Sequence, residues 1–456
     1  MFLAWLLFIG YTFFAIIDIK KAVIIWIPLH VLANPLIALK FTPPGISLSI
    51  AITVMLCFVF LIRRFMLEER AIYNNGEFIL RPVLIFMIFS YAISYIFSIV
   101  SISAAFNQTI RYFFEGFILL YAFYRCLNDK RDLRLFIKST FFIAVLVTTY
   151  GLYEFFALDN PVLDYSYNNA PHNSYTFSRM HYYPGLHKIR YGLPRCYSFF
   201  PLHLRFGAAC VFLMLLFGSM YKYNYGIYKN KKLLFVVVML LFGVFAANSK
   251  QGMVGMVVIL FCFYHPRNIF SHKLFLIGLA VFAVWIYFPE LFNNLFSLFD
   301  SNLAEEGKGS TVDLRIEQYN VAWEMFKNNP IFGNGPGSLA YLKGSEFGYD
   351  AIRGAESVFL SLMPERGIIG CLAYFFMYIW LFYYLKDKMP KRILFFYLLT
   401  VFVIEVAGGR KDITLYWGML IGTARYFQLY DSRYSPYAKA NEKEVLLDLK
   451  KKVFRS

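Results

Sequence analysis

The stretch VLIFMIFSYAISYIFSIVSISAAF, residues 83–106, decides the class of the molecule. It carries no charged residue. Its length fits the run needed to cross about 30 Å of hydrocarbon. It also lacks the polar stripe that a helix of a water-soluble protein turns toward solvent. Working outward, similar runs place spans at about 2–18, 22–39, 46–62, 82–106, 109–127, 135–157, 199–221, 232–248, 251–264, 273–289, 367–386, 391–407 and 412–428. The expected fold is an all-α, polytopic transmembrane helical bundle of about 12–13 spans. Composition agrees: 59% of residues are hydrophobic and 16% charged, whereas a soluble domain is roughly half apolar and a quarter charged.

Two polar interruptions, 158–198 and 290–356, break the hydrophobic pattern. The formal charge of +17 raises the question of nucleic acid, and the distribution of the charge answers it. Alternating the spans puts Lys20 and Lys21, Arg63 to Arg81, Arg125 to Lys138, Lys222 to Lys232, Arg267 and Lys273, Lys386 to Arg392 and the basic tail 429–456 on one side. Cytoplasmic loops collect Lys and Arg in this way. The tail is therefore expected in the cytoplasm, both long loops outside it, and no nucleic acid as partner. The first apolar run lacks a basic start and a small-residue cleavage site, so it reads as a retained span. The cysteines form no CxxC pair, and neither a zinc site nor a disulfide framework is indicated. No P-loop, HExxH or dinucleotide fingerprint is present. The glycine-dense Gly333–Gly337 segment reads as a turn.

The second loop contains a readable helix over about 311–328. Ser310 and Asp313 resemble a capping box, and Asn328-Asn329-Pro330 ends the run. At helical spacing Val312, Ile316, Tyr319, Ala322, Trp323 and Phe326 share one face, and Asp313, Glu317, Asn320, Glu324 and Lys327 the other. Arg315 projects into the apolar face. Such a guanidinium either snorkels to water or a local carboxylate, or meets a phosphate, whose oxygens its planar fork matches.

These residues resemble a known family. Asp313 to Leu339, DLRIEQYNVAWEMFKNNPIFGNGPGSL, is similar to the signature of the O-antigen ligase and polymerase superfamily: an Arg, an aromatic-rich helix, then a PlxGxGpG turn. Ala355 to Leu360, with Leu362, Glu365, Gly367, Ile369 and Gly370, is similar to that family's HNxYLxxLxExGxxG. Asn248 to Gly252 stands where the family has an SRG turn, and Arg195 with Ser198 to Pro201 resembles its RxxGxFxNP stretch. The chain departs from the pattern in three places. Glu356 replaces the ligase His, Lys250 replaces the Arg with Gln251 inserted, and the Asn after Arg195 is missing.

The resemblance implies an inverting, metal-independent and cofactor-free glycosyl transfer from a polyprenyl (undecaprenyl) diphosphate. It implies a bacterial cytoplasmic (inner) membrane protein whose site lies on the extracytoplasmic, periplasmic face. The partners implied are undecaprenyl-diphosphate-linked oligosaccharide donor and acceptor, membrane lipids and a chain-length regulator. The departing diphosphate needs cations, and the attacking sugar hydroxyl needs a base. Arg195 and Arg315 are the expected catalytic cations, and Glu356 the expected base. Its carboxyl stands at the ligase-His position, where a partly apolar cleft raises a carboxyl pKa toward neutrality.

Lys250, Arg353, Arg410, Lys411, Tyr319 and Glu365 are the expected substrate contacts. As the bland alternatives, the cations anchor span ends and Glu365 caps a helix N-terminus. Arg205, two turns into a span, is expected to pair with Glu154 or Glu115, and Glu405 to be a structural polar partner. Tyr165, Tyr167, Tyr175, Tyr182 and Tyr183 of the first loop suit sugar faces or an interfacial belt. His172, His181 and His187 fit no local zinc spacing. Three activities fit the pattern: a polymerase, favoured by Glu356; a ligase acting on lipid A core or protein; and a flippase of lipid-linked sugar. A flippase would be expected to carry internal repeats, and no clear duplication is visible.

Overall fold

A computed structural model describes residues 2–30, 32, 38–39, 46–66, 81–99, 113–168, 189–190, 193–200, 202–263, 312–338, 357–408 and 413–434. The expected span 273–289, most of the first loop and most of the basic tail lie outside these residues.

The apolar runs form α1 (Phe2–Ile17), α2 (Ile19–Leu29), α3 (Leu48–Leu61, continued by a wider π-type turn, Ile62–Met66) and α4 (Arg81–Ile96). A second π-type turn, Phe114–Ile118, leads into α5 (Leu119–Cys126), followed by α6 (Lys130–Ala157) and the short α7 (Pro161–Asn168). Then come α8 (His203–Lys222), α9 (Asn230–Ala246), α10 (Lys250–Phe263), α11 (Val312–Asn328), α12 (Val358–Leu385), α13 (Lys391–Gly408) and α14 (Ile413–Tyr430). Two antiparallel pairs of two-residue strands, Ala38–Leu39 with Ile46–Ser47 and Ile189–Arg190 with Leu193–Pro194, are the β-structure among the described residues. The molecule is an all-α polytopic membrane bundle.

Four of the described helices are long and apolar enough to cross a membrane: Leu48–Met66, Lys130–Ala157, His203–Lys222 and Val358–Leu385. Their burial separates a core from a lipid-facing wall. α8 is apolar on every side, and Phe206 to Met220 are all buried, the behaviour of a helix surrounded by other helices. By contrast α1, α4, α9 and α12 keep large apolar side chains exposed, among them Phe13, Ile85, Phe89, Phe235, Phe242 and Ile379. A wall of that kind is stable against hydrocarbon, not water.

Span ends differ from the sequence expectation, each for a local reason. The run 22–39 does not form one span. α2 stops at Leu29, just after Pro28, and Ala38–Leu39 joins a strand pair. Proline has no backbone N–H to donate to the preceding turn, and Asn34-Pro35 in the sequence further disfavours continuation. Within the run 82–106, α4 ends at Ile96. The chain then turns, and Ile99 N–H donates to Asn334 O at 3.0 Å. α12 begins well before the expected position 367, at Val358.

Contacts sort the helix termini into two ends. At one end Lys20 pairs with Asp132 at 2.7 Å and Arg63 bonds to Ile16 O. There too Lys130 lies over the Tyr430 ring, Arg392 donates to Phe261 O at 2.8 Å, and Arg433 pairs with Asp431. This is the basic end. At the opposite end lie the C-termini of α4, α6, α9 and α13, the N-termini of α8, α10 and α12, and the segments 195–200 and 329–338.

Candidate functional site

The opposite end is organised around a broken helix. Within α12, Gly367 has φ 60° and ψ −158°, which interrupts the helical run after Pro364. Both edges of the break are filled by the glycine turn that follows α11. Asn334 N–H and Nδ2 donate to Pro364 O at 2.8 and 3.0 Å, and Gly335 N–H donates to Glu365 O at 3.0 Å. In return Ile368 N–H and Ile369 N–H donate to Pro330 O and Ile331 O at 2.8 and 3.3 Å. Ser94 Oγ on α4 donates to Glu365 O at 2.6 Å, and Phe97 stacks on Phe332 with centroids 4.5 Å apart.

The turn is therefore a clasp that supplies the hydrogen bonds a broken helix would otherwise leave unmade. Gly333, at φ 74°, must be glycine here. A Cβ would overlap Arg366 N and the Glu365 carbonyl. The second half of α12 is capped by main-chain carbonyls of the turn, and Glu365 itself is buried.

A second construction fixes Arg195. Glu154, near the end of α6 and 5% exposed, accepts from Tyr197 N–H at 2.8 Å and Ser198 N–H at 2.7 Å through Oε2. Ser198 Oγ donates to Val147 O at 2.8 Å, and Asn160 Nδ2 donates to Ser198 O at 2.9 Å. Thus Glu154 Oε2 is engaged by the main chain beside Arg195. Burial pushes the Tyr197 phenol up to about 12, against the opposing pull of Arg195.

Cys196 N–H donates to Ala246 O at 3.0 Å, which brings this shelf against the α9–α10 turn. Ser249 Oγ accepts from Gly252 N–H at 3.1 Å and so caps α10. Lys250 opens that helix, and Gln251 Oε1 is buried without a hydrogen bond. Arg195 and Lys250 therefore share one shelf.

α11 packs on α12. Gln318, Ala322 and Met325 are buried, whereas Ile316, Tyr319 and Trp323 are exposed. The clasp sets this roll, because Asn334 Nδ2 also donates to Met325 O at 2.8 Å. A groove of about 210 Å³ results, lined by Tyr319, Asn320, Ala322, Trp323, Phe359, Leu360 and Met363. Arg315 lies on α11, but its side chain is outside the described residues, as are Glu356, Arg353, Arg410 and Lys411 altogether. Deeper in the bundle Tyr374 and Tyr378 donate to Glu405 Oε2, which fits the structural role read for that residue. Sequence reasoning missed Asn334 and Arg366. An amide between glycines and an Arg beside a family Glu were the available signals.

The fold and this end define a multi-span membrane protein with one end clasped by main-chain hydrogen bonds around a helix break. Residues 235–375, from α9 into α12, match the model of a family described as O-antigen ligase. The match agrees with the resemblance to the O-antigen ligase and polymerase superfamily. No curated protein matches the chain.

Proposed function

We propose that this protein is an O-antigen or capsular polysaccharide polymerase of the bacterial inner membrane, working on the extracytoplasmic side. It moves a growing glycan from undecaprenyl diphosphate onto the terminal hydroxyl of a lipid-linked repeat unit. The observation that carries the reading is the family match over α9–α12, the segment that builds the clasp and the Lys250 turn.

In the proposed step the acceptor hydroxyl gives its proton to Glu356 as its oxygen attacks the anomeric carbon. The bond from that carbon to the diphosphate oxygen breaks with inversion. The charge growing on the leaving diphosphate is met by Arg195 and Arg315, with Lys250, Arg353, Arg410 and Lys411 as further cations. Tyr319 and Trp323 offer flat faces to sugar C–H groups. No nucleotide, metal or cofactor enters this scheme.

The test supplies purified protein with a lipid-diphosphate repeat unit and no nucleotide. A ladder of oligomers is expected. Glu356→Gln and Arg315→Ala should each abolish it, a loss of 100-fold or more on the order of general base and oxyanion contributions, while the protein still inserts. Normal long chains from both variants would remove these assignments. The description of the matched family supports a second reading, a ligase. It predicts transfer only when a lipid A core acceptor is added. Translocation without bond formation would instead mark a flippase.

A further inference from the structure

Arg366 follows Glu365 at the break in α12 and is 5% exposed. Its guanidinium carbon lies over the Tyr91 ring of α4, 3.6 Å from the centroid, and one Nη donates to the Tyr91 hydroxyl. Its Nε and other Nη are sealed from solvent and have no hydrogen-bond partner among the described residues. No ion pair is found for it among the described residues.

A buried guanidinium with two unused N–H groups is an unfavourable feature for folding. Replacing such a charge with an apolar side chain of similar volume is often neutral or stabilising. An ionisable residue held inside a membrane bundle in that state points to function. Arg425 also has unbonded nitrogens, but it lies toward the basic end, where Nη1 donates to Gln428 and the guanidinium faces Tyr124. Arg366 differs in place. It sits where the clasp, α4 and the α12 break meet, within the end that carries the Arg195–Lys250 shelf. Its main-chain neighbours are fixed by the clasp, so the unbonded Nε and Nη have defined directions. N–H donors held on one charged planar group match the oxygens of a phosphate ester.

We propose that Arg366 is a further contact for a phosphate-ester oxyanion, the diphosphate of the lipid-linked donor, reached when the seam between α4 and the α12 break parts. The inference rests on the donor assigned above. The seam that opens is short: the Tyr91 ring, the Phe97–Phe332 stack and the Ile99–Asn334 hydrogen bond. Gly367 gives the chain a non-helical joint at that point.

The test uses the full chain in detergent and two probes, inorganic pyrophosphate and micelles doped with phosphatidylglycerol in place of phosphatidylcholine. Thermal unfolding and equilibrium binding are read for wild type, Arg366→Met and Arg366→Lys. Wild type should bind pyrophosphate and unfold at a higher temperature with it. Arg366→Met should start at or above the wild-type unfolding temperature yet bind pyrophosphate at least about tenfold more weakly. Arg366→Lys, which keeps the charge without the fork, should fall between and guards against a variant that fails to fold.

A response to phosphatidylglycerol alone, lost in Arg366→Met, would keep the oxyanion chemistry but overturn the diphosphate as its source. A lowered unfolding temperature with undiminished pyrophosphate affinity in Arg366→Met would make the residue a structural brace and overturn the proposal. In that case the donor reading above would stand. A wild type that responds to neither probe would sink both.

Discussion

The two ends of the bundle are held by different forces. At the basic end every contact named involves a charged side chain. Lys20 meets Asp132, Arg433 meets Asp431, and Lys386 and Lys388 lie over the Tyr383 and Tyr384 rings. At the clasp end the contacts are mostly main chain: the turn 329–335 into the α12 break, and the shelf 195–198 onto Glu154 and Ala246. Ion pairs between long side chains at a protein's rim leave each side chain room to move. Main-chain pairing holds its atoms more tightly, the precision that the function proposed above would need at the clasp end.

Substitutions that break the comparison should differ in size accordingly. The largest effect is expected for Gly333→Ala. The residue has φ 74° and its Cβ would overlap the α12 backbone, so the clasp must undock. A loss of about 3–5 kcal/mol is expected, read as a lower unfolding temperature, together with loss of polymer.

Next is Glu154→Ala, which strands two buried N–H groups beside Arg195 and should cost about 2–4 kcal/mol. Glu154→Gln keeps an acceptor oxygen and should recover most of that loss. Equal loss in both would show that charge, not the amide bowl, matters there.

The smallest effect lies at the basic end. Arg433, hydrogen-bonded to Asp431, holds the Asp431 carboxyl down to about 2. A carboxyl depressed in the folded state stabilises above its unfolded value near 4, and that contribution fades as pH falls from about 4 to 2. Asp431→Asn should therefore cost no more than about 1 kcal/mol at neutral pH and flatten the acid limb of an unfolding-temperature profile. An unchanged profile between pH 4 and 2 would remove the pair from the account.

Much of this contrast was legible in the sequence, and the missing part has a common cause. The helices of the bundle follow from uninterrupted apolar runs, and the basic side from the placement of Lys and Arg. Where the spans end is set by long-range main-chain pairing. α4 stops at Ile96 because Ile99 bonds to Asn334, more than two hundred positions later. The roll of α11 is set in the same way. Hydrophobic periodicity groups Tyr319 and Trp323 on one face, and the Asn334 bond to Met325 O helps bury Gln318. The Gly333–Gly337 motif was readable as a turn. Its partner, the α12 break, was not, because Pro364 and Gly367 look like an ordinary span start until the turn is seen inside them.

The claim on which the rest depends is that the clasp end faces away from the cytoplasm, and side-specific labelling tests it most directly. Ile331→Cys places a thiol on an exposed clasp residue, and Lys229→Cys on an exposed residue of the basic end. The native cysteines are buried or half-buried, which keeps the background low. A membrane-impermeant maleimide added to intact cells should modify Ile331→Cys and leave Lys229→Cys unlabelled until the membrane is opened. Labelling of Lys229→Cys from outside, with Ile331→Cys protected, would invert the molecule and contradict the account.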